Sequence, residues 1–270
     1  MKTNLLYLLL ALFLFSGCSK DDDDAAPEKT YLLQRKLSEV TFSSGGGVTI
    51  DLTYSYNPKN QLIRINGVII REDELVPVHT DLSYDSEGRV RRVENRLGTV
   101  WTNEYNDKGQ LVLSTRKYKT SEPYIYLHSY NDKNQLVEIK TYMKEVNQEA
   151  YRGNTLISYE GDNRIKIERT SVASGEIREY TIVTDNQKRE LPPLPHQITA
   201  EFAAAEIFAE PYITNHNIAS MDVVNKTPSN VLDISYQATR TYNQAGYPET
   251  CIMTFNHGSV EKITYVYTSK

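Results

Sequence analysis

Between residues 48 and 56 the chain alternates without a break. Val48, Ile50, Leu52, Tyr54 and Tyr56 share one side, and Thr49, Asp51, Thr53 and Ser55 the other. A period of two is the mark of a half-buried β-strand. Val76, Val78, Leu82 and Tyr84 repeat the pattern against His79, Asp81 and Ser83. Leu232, Ile234, Tyr236 and Tyr242 do so against Asp233, Ser235, Gln237 and Thr239. With further strands near 30–42 and 259–267, the pattern predicts an all-β protein of about a dozen or more antiparallel strands, buried on one side and wet on the other.

Between the alternating stretches one short motif recurs. It reads Tyr56-Asn57-Pro58-Lys59-Asn60-Gln61-Leu62, then Tyr84-Asp85-Ser86-Glu87-Gly88-Arg89-Val90, then Tyr105-Asn106-Asp107-Lys108-Gly109-Gln110-Leu111 and Tyr130-Asn131-Asp132-Lys133-Asn134-Gln135-Leu136. A looser copy spans Tyr159-Glu160-Gly161-Asp162-Asn163-Arg164-Ile165, and the last, Tyr242-Asn243-Gln244-Ala245-Gly246-Tyr247-Pro248, ends in Pro. The fifth position is always Gly or Asn, the residues that tolerate a left-handed backbone. A type I turn followed by such a residue makes a three-residue hairpin loop with a bulge. Each copy is therefore expected to be a hairpin tip, closed by a pair such as Tyr56 with Leu62, Tyr84 with Val90 or Tyr105 with Leu111.

A long meander accumulates twist and must curl. The predicted fold is a long antiparallel meander curled into a half-open barrel, with one short helix inserted near residues 198–209. Pro192, Pro193 and Pro195 end the strand series there, Ile198, Phe202, Ala205 and Ala209 give an apolar stripe, and Pro211 stops the helix. Asn215 to Asn230 reads as a long loop before the final strands.

The N-terminus carries an address. Lys2 precedes an unbroken apolar run from Leu5 to Phe15, about half the ~20 residues that a spanning helix needs. Phe15-Ser16-Gly17-Cys18 follows and resembles the lipobox of bacterial lipoproteins, in which the Cys is acylated, as with palmitate, and becomes the first mature residue. Lys20, Asp21, Asp22, Asp23 and Asp24 come next. Adjacent like charges favour an extended, hydrated tether, and Lys with several Asp after a lipidated Cys resembles the surface-export signal of Bacteroidota lipoproteins. Residues 1–17 thus read as a signal peptide and 18–28 as lipidated Cys and acidic tether. Residues 29–270 read as a single antiparallel β domain with a helix and loop insertion at about 190–230.

Taken together, these features resemble a group of Bacteroidota surface lipoproteins of unknown function whose domain is porin-like, an incompletely closed β-meander. The hairpin motif is also similar to the tyrosine–aspartate (YD) repeats of Rhs-type surface proteins. The resemblance implies an outer-membrane, lipid-anchored location and brings no catalytic residues. An embedded porin is argued against by Val90-Arg91-Arg92-Val93-Glu94-Asn95-Arg96, which puts charge on both faces of one strand. A mid-bilayer Arg facing lipid costs about 2–4 kcal/mol.

Charge and composition narrow the function classes further. The net charge is −5, and the acidic tether accounts for much of it, so the domain is near neutral and lacks the basic surface that drives nucleic-acid binding. With Cys18 acylated, Cys251 has no partner for an intrachain disulfide and reads as a small core residue. The histidines at 79, 128, 196, 216 and 257 show no metal-ligand spacing. Neither the acidic run Glu72-Asp73-Glu74 nor Gly45-Gly46-Gly47 forms a catalytic motif. No metal, cofactor or enzymatic activity is expected.

Tyrosine is the compositional outlier, at 20 against 6 Phe. Tyr124, Tyr126, His128 and Tyr130 share one face of a strand whose other face carries Ile125 and Leu127. Trp101, four residues before Tyr105, joins them as a candidate ligand surface. A covering helix explains the same two-sided pattern. The expectation is a non-enzymatic cell-surface or outer-membrane lipoprotein binding a glycan or protein partner. The alternatives are a carrier of a hydrophobic ligand in the half-barrel groove, or a structural envelope protein.

Overall fold

The computed structural model describes residues 30–270 except 73, 146–147, 189–215 and 228–233. The segments read from sequence as signal peptide and acidic tether, with Cys18, and the helix expected at 198–209 lie outside the described residues. The strands are β1 (Tyr31–Thr41), β2 (Gly47–Tyr56), β3 (Leu62–Arg71), β4 (Glu74–Tyr84), β5 (Val90–Asn95), β6 (Thr99–Tyr105), β7 (Leu111–Tyr118) and β8 (Tyr124–Tyr130). They continue as β9 (Leu136–Lys144), β10 (Glu149–Glu160), β11 (Arg164–Ser171), β12 (Ile177–Lys188), β13 (His216–Asn225), β14 (Tyr236–Tyr242), β15 (Pro248–Phe255) and β16 (Val260–Ser269). Each pairs antiparallel with its sequence neighbour, and β1 pairs with β16.

The barrel is thus closed, which corrects the half-open shape expected from sequence. Pairing of the first and last strands leaves no trace in periodicity, yet it removes both open edges and their unpaired backbone groups. The Ser38 hydroxyl on β1 donates to the Glu261 carboxylate on β16 across this seam. Beyond the compact unit Leu32–Thr268, Thr30 and Lys270 exchange two backbone hydrogen bonds of 3.1 and 2.9 Å.

A second correction concerns Asn215 to Asn230. Residues His216–Asn225 form β13 and pair with β12 from Met221↔Ile182 to Asn225↔Arg178. Met221 and Val223 are buried while Asp222 and Val224 are exposed, so the alternation is real but short. Buried Asn217 interrupts its apolar face and hides it from a hydropathy reading.

The buried faces form one contiguous core drawn from strands all around the ring, including Leu33, Leu52, Ile65, Trp101, Ile139, Ile167, Ile182, Met221 and Ile263. In a closed barrel only the inner faces converge in this way. Full burial of an aliphatic side chain such as Ile65 or Ile182 is worth about 1.5–3 kcal/mol. The outer face carries ion pairs, beside exposed aliphatic side chains such as Leu127, Leu156, Ile252 and Val266. Arg35 pairs with Asp51 at 2.7 Å, Arg64 with Asp81 at 2.6 Å, Arg92 with Glu94 at 2.8 Å and Lys166 with Glu160 at 2.7 Å. Such exposed pairs add little stability, but they mark the outside as the polar face. A membrane-embedded barrel has the reverse arrangement.

The hairpin tips have the expected geometry. Tyr56↔Leu62, Tyr84↔Val90, Tyr105↔Leu111 and Tyr130↔Leu136 are Cα partners, each with a one-residue register shift beside it. Asn60, Gly88, Gly109 and Asn134 all have positive φ. The second motif position fixes the loop. Asn57 Oδ1 accepts from the backbone N–H groups of Lys59 and Gln61, and Asp85, Asn106, Asn131 and Asn243 do the same. The looser copy differs. There Gly161, not Asn163, takes the left-handed backbone, and Glu160↔Arg164 closes a turn without a bulge.

One part of the motif was invisible from sequence. Each tip tyrosine reaches past its own hairpin to the preceding one. Tyr56 donates to the carbonyl of Leu33 at 2.9 Å, Tyr84 to Leu62 at 2.6 Å, Tyr105 to Val90 at 2.8 Å, Tyr130 to Leu111 at 3.0 Å and Tyr159 to Leu136 at 3.1 Å. Tyr242 donates to the Asp185 carboxylate instead. The aromatic ring thus fills the barrel end while its hydroxyl satisfies a carbonyl of the neighbouring hairpin.

Candidate functional site

The tips of β6–β7 and β8–β9 stand side by side at the repeat end of the barrel. Between them lies a cleft of about 650 Å³, lined by Asn106, Lys108, Gln110, Val112, His128, Tyr130, Asn131, Asp132 and Asn134. The turn chemistry builds its walls. Asn106 Nδ2 donates to Gln110 Oε1 at 2.6 Å and Asn131 Nδ2 to Gln135 Oε1 at 3.0 Å, which freezes both loops. Gln110 Nε2 then donates to Asn134 Oδ1 and links one tip to the next.

His128 and Tyr130, on the inner face of β8, join Val112 in this lining. His128 is buried opposite Ile139. Burial pushes its pKa down to about 4, against backbone hydrogen bonding with Val112 and Tyr126 that favours the charged form. The imidazole is therefore neutral at pH 7. Burial likewise holds the Tyr130 hydroxyl protonated. A wall of amides with a neutral imidazole, a phenol, one Lys and one Asp offers paired donors and acceptors, the equipment for holding hydroxyl groups.

The five residues expected to form one ligand surface are split by the barrel's length. His128 and Tyr130 belong to the cleft. Trp101, Tyr124 and Tyr126 lie on the same inner face but nearer the opposite end. Trp101 is buried and its ring centroid is 5.4 Å from that of Tyr126. The Arg116 guanidinium lies 5.5 Å from the centre of the Trp101 ring. Tyr124 is exposed, opposite Arg116 on β7. Five aromatic and imidazole groups on one face of the sequence thus serve two ends of the molecule.

Sequence reading missed Asn106, Gln110 and Asn134 as site residues, because their motif positions account for them as turn formers. Arg116 was missed too, since β7 leaves its tip through a bulge and its alternation is blurred. Among the described residues, no group of three or more His, Cys, Asp or Glu side chains converges to hold a metal ion. Cys251 is buried within the core, 1% exposed. His79 Nε2 bonds Asp81 at 2.8 Å and Nδ1 bonds Asn66 at 2.7 Å, an outer-face network adjoining the Arg64 ion pair.

The class that these features define is a closed, antiparallel β-barrel with an apolar interior and a charged exterior. No protein-family model and no curated protein matches the chain. Among solved structures it is similar to a porin-like protein from Bacteroides uniformis, with 19% identity over 87% of this chain and 96% of that chain and a TM-score of 0.60. At that identity the likeness is one of fold. A further alignment, to the TcdB2–TccC3 complex, has 12% identity over 83% of this chain and 12% of that one. Its TM-score of 0.25 falls short of a shared fold.

Proposed function

We propose that this protein is a non-enzymatic binding barrel of the bacterial outer membrane, held by acyl groups on Cys18 and standing in water rather than in the bilayer. Its repeat end takes a neutral, hydroxyl-rich ligand, a glycan. The cleft between two hairpin tips carries the reading, because its lining is mostly polar: the amides of Asn106, Gln110, Asn131 and Asn134, with His128, Tyr130, Lys108 and Asp132, stand there beside a single aliphatic side chain, Val112. The charged outer face supports the aqueous setting. The export-signal resemblance of Lys20 and Asp21 to Asp24 supports the outer leaflet. The hydrophobic-carrier reading has less behind it: the inward aliphatic side chains of the described residues pack against one another.

A glycan array probed with the mature chain carrying Cys18→Ser tests the proposal. Binding to a neutral glycan that is lost in Asn134→Ala and Gln110→Ala supports it. Silence across the array, or binding that both variants retain, overturns it.

A further inference from the structure

The amides that line the repeat-end cleft have their directions fixed from the backbone. Asn106 Oδ1 accepts from the N–H groups of Lys108 and Gln110, both at 3.0 Å. A backbone N–H can only donate, so that end of the Asn106 amide is oxygen and the other is nitrogen. Asn106 Nδ2 then donates at 2.6 Å to Gln110, which must answer with its oxygen. Gln110 is left with its nitrogen toward Asn134, which again answers with oxygen. Asn131 is set in the same way. Its Oδ1 takes the N–H groups of Lys133 and Gln135 at 3.0 and 2.9 Å, and its Nδ2 donates to Gln135 at 3.0 Å.

Every amide oxygen of the lining is thus engaged inside the protein, while the nitrogens hold hydrogens in reserve. Among the described residues Asn134 Nδ2 has no acceptor, so both of its N–H bonds are open, and Asn106, Gln110 and Asn131 each keep one. Acceptors remain at the Asp132 carboxylate and at the Tyr130 oxygen, whose proton goes to the Leu111 carbonyl at 3.0 Å. Lys108 and Asp132 cancel in charge, so the cleft gives an anion no net attraction. Asn134 also exceeds what the turn requires. The corresponding link between the first two tips runs from Gln61 Nε2 to the carbonyl of Gly88 at 3.2 Å and uses no side chain at that position. Asn134 has φ of 62, a backbone that glycine adopts more easily.

We infer that the cleft selects N-acetylated amino sugars. An acetamido group carries what this lining answers: its carbonyl accepts from Asn134 Nδ2, its N–H donates to Asp132, and its methyl meets Val112, the single aliphatic side chain of the cleft. A hydroxyl in the same place has no carbonyl for the surplus donors and no methyl for Val112. The inference rests on the neutral-glycan reading and narrows it to one sugar class.

Calorimetric titration of the chain from residue 18 carrying Cys18→Ser, with tri-N-acetylchitotriose and with cellotriose, tests it. These probes share their rings and linkage and differ in acetamido against hydroxyl. The acetylated probe binds about tenfold or more tightly, the effect of one or two hydrogen bonds. Asn134→Gly, which suits a φ of 62 and lets Gln110 use the backbone carbonyl, brings the two probes near parity. Asp132→Ala narrows the preference, and Asn60→Gly, the same exchange in the first tip outside the cleft, leaves it unchanged. Equal affinity for the two probes, or a preference for cellotriose, overturns the inference while the neutral-glycan reading stands. A preference that Asn134→Gly and Asp132→Ala both retain overturns it as well. Binding of neither probe does so too, and only a silent glycan array beside it removes the broader reading.

Discussion

Replacing Tyr84 by Phe removes a single oxygen from the ring of tyrosines at the repeat end. That oxygen donates to the Leu62 carbonyl at 2.6 Å. Burial raises the hydroxyl's pKa to about 12, in keeping with its half-buried position. The ring contacts survive in Tyr84→Phe, so only the hydrogen bond is lost, at a net cost of about 1 kcal/mol. For an m-value of roughly 2.5 kcal/mol/M, the urea midpoint falls by about 0.4 M. The structure also orders the series. Val90's carbonyl receives both Tyr105 at 2.8 Å and Asn103 Nδ2 at 2.9 Å. Tyr105→Phe leaves it one donor and is therefore milder than Tyr84→Phe. Tyr56, Tyr84 and Tyr130 reach three separate carbonyls, so their combined replacement costs about 3 kcal/mol if the sites add. That is a large share of a typical stability of about 5–15 kcal/mol. The outer-face control Tyr142→Phe stays within about 0.5 kcal/mol. Urea unfolding of the mature Cys18→Ser chain, followed by far-UV circular dichroism, measures all of these. An unchanged midpoint in Tyr84→Phe, or a greater loss in Tyr105→Phe, refutes the reasoning.

The same tyrosines set an alkaline limit. Tyr84 and Tyr105 have folded pKa values of about 12 against 10 for the free side chain. The unfolded chain therefore loses these protons first, and stability that is intact below pH 10 declines between pH 10 and 12; urea midpoints across that window check it. His128 acts at the acid end, with a pKa near 4 against 6.5. The unfolded chain binds that proton more readily, so stability falls as pH drops from 6.5 to 4, and His128→Gln flattens this slope in thermal melts. Gly153 has φ near +147, and an added Cβ would lie 1.9 Å from the Thr170 carbonyl oxygen. Gly153→Ala consequently costs about 3 kcal/mol, read as lost soluble yield or a lowered melting temperature.

Strand order and turn geometry were legible because both are local. Two-residue alternation names the inner face of β2, and a Gly or Asn at the fifth motif position names the bulged turn. Closure was not legible, since the pairing of β1 with β16 joins segments more than 200 residues apart. The tyrosine hydroxyls were equally hidden: the motif shows an aromatic–aliphatic pair, while the oxygen's partner sits in the preceding copy. Trp101, Tyr126 and His128 were correctly seen as sharing a face. Their split between two ends depends on how far each lies along its strand, which alternation does not encode.

Detergent phase partitioning tests most directly whether this barrel keeps its apolar face inside and touches the membrane only through Cys18. With the proposed acylation at Cys18, the wild-type protein should enter the detergent-rich phase, and the chain from residue 18 carrying Cys18→Ser should remain folded in the aqueous phase. A folded Cys18→Ser chain that still partitions into detergent would mean that the outer face itself is lipid-seeking, and the account would be wrong.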